Sequence, residues 1–71
     1  MKTTCAHALS LVLRKVDELE LEMGICGHDA LFDAMYMEHG IRRKRMARLV
    51  VRLASDGLIR SVEPGYFKRV K

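Results

Sequence analysis

The residues best suited to chemistry lie in the run Ile41 to Arg60, IRRKRMARLVVRLASDGLIR. Arg42, Arg43, Lys44, Arg45, Arg48 and Arg52 crowd cations into a short span. Side chains of this kind bind polyanions. Both bond phosphate oxygens, and the planar fork of arginine also matches the O6/N7 edge of guanine. The carboxylates offer less. Asp17, Glu18, Glu20 and Glu22 form a cluster, but on a helix Glu18 and Glu22 share a face with no histidine beside them, which reads as a solvated face. Cys5-Ala6-His7 and Cys26-Gly27-His28 would together supply four tetrahedral metal ligands. Their spacing argues against it. Structural zinc pairs separate their ligands by two to four residues, and one intervening residue on a helix turns the side chains about 200° apart. No nucleophile motif, phosphate-cradling glycine loop or room for a substrate pocket is evident. The sequence therefore points away from an enzyme, a metal site or a cofactor.

The basic run needs a scaffold. Met46, Leu49, Val50 and Leu53 recur at helical spacing and make an apolar back. Arg43, Lys44, Ala47, Arg48, Val51, Arg52 and Ser55 fall on the other faces of a helix expected over 42–56, with Gly57 as its left-handed stop. Arg42 and Arg45, near the helix start, are placed to meet phosphate. Upstream, Leu9, Val12, Leu13, Val16, Leu19 or Glu20, and Met23 predict a helix capped by Thr3 or Thr4 and closed at Gly24. Leu11 and Leu21 fall off its apolar face and are either scattered surface leucines or a second stripe for a dimer partner. A second helix is predicted from His28 or Asp29 to His39-Gly40, with Leu31, Phe32, Met35 and Tyr36 inward and Ile41 plugging the turn that follows. Beyond Gly57, residues 58–62 and 66–70 read as strands joined by a type II turn at Glu63–Tyr66, with Pro64 and Gly65 central. Tyr66 and Phe67 point to opposite faces, one to the core. Arg60, Lys68, Arg69 and Lys71 extend the positive pole along this hairpin.

The segment MARLVVRLASDGLIR resembles the recognition helix and first wing strand of winged helix-turn-helix DNA-binding domains. Its apolar spacing, followed by Gly57-Leu58-Ile59, is similar to that of MarR-type bacterial regulators. The resemblance is clear over Gly40 to Ile59, looser over Gly27 to His39 and Arg60 to Val70, and does not extend to the dimerisation helices of that family. It implies a mostly α fold with a small β-hairpin, a single three-helix winged helix-turn-helix domain over 1–71. It also implies a minimal strand at Ile25-Cys26 that pairs with the wing.

Charge distribution agrees with a polyanion partner. The chain has 71 residues and a net charge of +4. Residues 1–41 hold three basic against seven acidic side chains, and residues 42–71 hold ten against two, so the halves carry −4 and +8. A domain this small is marginal without a partner. The expected function is sequence-specific binding of double-stranded DNA by a small transcriptional regulator. Arg42, Arg43, Lys44, Arg45, Arg48, Arg52, Arg60, Lys68 and Arg69 would contact the DNA, and a homodimer would read a two-fold site. The competing expectation is a winged-helix interaction module that docks on a protein as an adaptor or inhibitor. Single-stranded RNA is disfavoured, since no aromatic stacking platform is visible. The opening apolar run ends at Arg14 and Lys15 without a small-residue cleavage site, and no stretch approaches about 20 apolar residues. Two cysteines make no secreted framework. These features predict a reducing, cytoplasmic setting with two buried thiols and no membrane partner.

Overall fold

The computed structural model describes residues 5–70. Thr3, Thr4 and Lys71 lie outside the described residues. In chain order the elements are α1 (Cys5–Met23), β1 (Cys26–Gly27), α2 (His28–His39), α3 (Arg43–Ser55), β2 (Ile59–Glu63) and β3 (Tyr66–Arg69). The strands form one antiparallel sheet in the order β1-β3-β2. Three helices with a hairpin wing, and a two-residue strand closing the sheet against it, make a winged-helix-like arrangement, mostly α as expected. No helix among the described residues is long and apolar enough to cross a membrane.

α1 carries no glycine or proline and buries Ala8, Val12 and Val16, four residues apart. Leu9, Leu11, Leu13 and Leu19 pack against the edge of that stripe. Leu11 is half-buried against the edge of the core, while Leu21 is 89% exposed. Met23, expected inside, is exposed, because the last turn of α1 runs past the core layer that ends with Val16 and Leu19. In α2, Leu31, Phe32 and Met35 are buried. Tyr36, also expected inside, is exposed; it lies about 100° from Met35 around the helix, beyond the packed arc. The amide of Gly40 donates to the Tyr36 carbonyl at 2.9 Å, and Ile41 is buried beneath the turn.

α3 is one residue shorter at each end than expected. Arg42 is extended and serves as N-cap, and Asp56 is the C-cap. The helix then stops by a complete Schellman motif: the Gly57 amide donates to Ala54 O at 3.1 Å and the Leu58 amide to Leu53 O at 3.0 Å. Gly57 adopts φ +75°, which only glycine takes at little cost. Met46, Leu49 and Leu53 form the buried back, with Val50 packed at its edge. Full burial of Leu31, Met35, Met46, Leu53 or Ile59 contributes roughly 1.5–3 kcal/mol each.

The wing runs 59–63 and 66–69 rather than 58–62 and 66–70, since a bulge between Ser61 and Glu63 sets Glu63 opposite Tyr66. Gly65 has φ +84°, as a type II turn requires at its third position, and its carbonyl accepts from the His28 amide at 2.7 Å. Phe67 packs on the core and Tyr66 is partly exposed. β1 pairs with β3 only through Cys26↔Phe67 and Gly27↔Tyr66. Beyond it, Glu20 of α1 closes the open edge of β3 by accepting the Arg69 amide at 3.2 Å.

Candidate nucleic-acid interface

The burial of Met46, Leu49 and Leu53 fixes which way α3 faces. With its back sealed, Lys44, Ala47, Arg48, Val51 and Ser55 stand exposed on the opposite side, with Arg52 on its flank. Val51 is 64% exposed. Among the described residues neither Lys44 nor Arg48 is held in an ion pair. This is a helical face of long cations around small apolar side chains, of a size that enters a B-form major groove.

The start of α3 has the wrong charge for helix stability. No acidic residue occupies its first turn, and the Arg42 side chain makes no cap. The dipole places partial positive charge beside Arg42, Arg43 and Lys44, all exposed. Such a helix start repels its own cations and receives anions well. Arg43 leans off the front toward α2: its guanidinium lies 5.5 Å from the Phe32 ring centroid and 3.9 Å from Asp29. His28 stacks on the same ring at 4.0 Å. Arg45 is half-buried beside the core rather than on the front. Arg52 donates through Nε to Asp56 Oδ2 at 3.1 Å.

The wing cations divide. Arg60 and Lys68 are directly opposite each other across β2 and β3, on the face away from Ile59 and Phe67. Like charges in that position repel. Arg69 faces the other way. It shares a side of the sheet with Phe67, its Nη1 donates to Asp17 at 2.8 Å, and its backbone is held by Glu20. It clamps β3 onto α1 and does not join the cations of α3. The tip of the wing is Glu63-Pro64-Gly65, which places a carboxylate there.

The cysteines separate as well. Cys5 is exposed, against expectation, because the first turn of α1 lies outside the core. Cys26 is buried on β1. Burial pushes its thiol up to about 11, with a smaller contribution from the Glu20 charge. A thiol so raised is inert at neutral pH. Among the described residues no three His, Cys, Asp or Glu side chains lie together as a metal-ligand set. On the acidic side, Lys15 joins Glu18 at 2.7 Å and Glu38 at 2.8 Å, tying α1 to α2. Those hydrogen bonds, Glu18 first, raise the Lys15 pKa, and Lys15 in turn lowers that of Glu18.

The residues missed by reading for cations are the carboxylates that restrain them. Asp56 was visible as an i,i+4 neighbour of Arg52. Asp17 and Glu20 stand 52 and 49 residues from Arg69, with no local signal to link them. No family model, curated protein or solved structure matches the chain.

Proposed function

We propose that this protein binds double-stranded DNA in a sequence-specific manner as a small transcriptional regulator in a reducing, cytoplasmic setting. α3 enters the major groove. Lys44 and Arg48 lead, Ala47 permits close approach, and Val51 meets a thymine methyl. Arg42 and Arg43 at the helix start, and Arg60 and Lys68 on the wing, hold the phosphate backbone. A homodimer on a two-fold site would double this contact. The observation that carries the reading is the exposed face of α3, with Lys44 and Arg48 around Ala47 and Val51 on a helix whose back is sealed.

The test is fluorescence anisotropy against a pool of random duplex DNA at two salt concentrations. Neutralising about four phosphates would weaken binding roughly a hundredfold between 50 and 200 mM salt. An Arg43/Arg48/Arg52 triple alanine variant should lose that binding, and full retention would sink the reading. A second reading, docking on a protein, is favoured by Tyr36 and Met37, which are 58% and 80% exposed on α2. Absence of duplex binding at low salt by the folded protein would favour it.

A further inference from the structure

The geometry points to Asp56 as a positioning residue that holds Arg52 as a reader of guanine. This rests on the DNA-binding reading above. Two features show that the Arg52–Asp56 pair does little for the fold. Both side chains are well exposed, 63% and 45%, so the pair contributes little to stability. Its order is also the weaker one: the cation precedes the anion at i,i+4, and Asp56 sits at the negative end of the helix dipole. An aspartate at a C-cap costs the helix a little rather than helping it.

What the contact does is orient. Asp56 takes the Nε–H of Arg52, and Nη1 and Nη2 form no ion pair among the described residues. Held at its inner nitrogen, the guanidinium presents its outer fork from the flank of the face that carries Arg48, Val51 and Ser55. A phosphate contact needs no such orientation, and the Asp56 carboxylate would repel a phosphate placed there. A base edge with two adjacent acceptors does need it, and guanine O6/N7 in the major groove is that edge. Arg48, with no carboxylate partner among the described residues, contrasts with Arg52 in this respect.

The experiment is site selection from a random duplex library. Competition titrations then compare the selected duplex with variants in which each guanine is replaced by adenine. Wild type is expected to prefer guanine at one position by about tenfold or more. Asp56→Ala, which removes the acceptor together with the charge, should abolish that preference while binding random duplex as well as or better than wild type. Arg52→Ala should lose the same preference, and the double variant should discriminate no differently from Arg52→Ala. Circular dichroism verifies that each variant is folded. Retention of the guanine preference within twofold by Asp56→Ala, or by Arg52→Ala, would overturn the inference and leave DNA binding intact. Wild-type binding without any base preference would overturn the inference and the sequence-specific part of the reading above, leaving only duplex binding. Failure of the folded wild type to bind any duplex would overturn both.

Discussion

The cations of α3 and those of the wing look alike in sequence and differ in what the fold does with them. On α3 the apolar back is buried, so Lys44 and Arg48 stand out with no carboxylate paired to them among the described residues. In the sheet, Arg69 is bonded to Asp17, its amide is held by Glu20, and the hairpin tip carries Glu63. Among the described residues of the hairpin, only the cations Arg60 and Lys68 lie on its outward face. A basic residue near a candidate interface is therefore available or committed according to which side of its element the core occupies. Charge composition alone does not separate the two cases.

The comparison can be broken first at its base. Met46→Ala removes a fully buried side chain from the back of α3 and should destabilise the protein by about 2–5 kcal/mol, read by chemical denaturation. A small loss would mean that the back does not hold the front in place. The sheet has its own signature. The Cys26 pKa is raised in the folded state, so the thiol contributes stability that is fully present below its usual 9.0 and is lost as pH climbs toward about 11. Stability should fall by roughly 1–2 kcal/mol over that window relative to Cys26→Ala. Parallel curves for the two proteins would contradict a proton held tightly on a buried thiol.

Two further variants weigh the cations directly. Lys44→Ala/Arg48→Ala should weaken duplex binding about tenfold or more and relax the sequence preference, while changing the slope of log affinity against log salt little, because both residues enter the groove rather than hold phosphate. Arg69→Ala should leave affinity within about twofold while costing on the order of 1 kcal/mol of stability, because a partly exposed ion pair is lost. A large affinity loss there, with stability unchanged, would return Arg69 to the interface. The smallest effect is at the tip. Glu63→Gln, which removes the carboxylate at the tip of a wing held on the phosphate backbone, should tighten duplex binding by no more than about twofold in the same titration.

Much of this fold was legible in the sequence because its helices rest on local periodicity and local stops. Met46, Leu49 and Leu53 named the buried side of α3, Gly57 named its end, and Pro64-Gly65 named the wing turn. The same periodicity misplaced Met23 and Tyr36, since a helical stripe says which residues align but not where the core ends along them or how wide its arc is. The site divides in the same way. The exposed front of α3 follows from spacing within one helix. The commitment of Arg69 depends on α1 packing against β3, and the half-burial of Arg45 depends on the core beside it. Neither leaves a mark in the nearby sequence.

The most direct test of the central claim is a pair of salt titrations of duplex affinity by anisotropy, one on Arg42→Ala and one on Arg69→Ala, each against wild type. The account predicts that Arg42→Ala, which removes a phosphate contact at the start of α3, lowers both affinity and salt slope, the slope by about 0.9, while Arg69→Ala leaves the slope unchanged. Equal slope losses in the two variants, or a loss confined to Arg69→Ala, would contradict it.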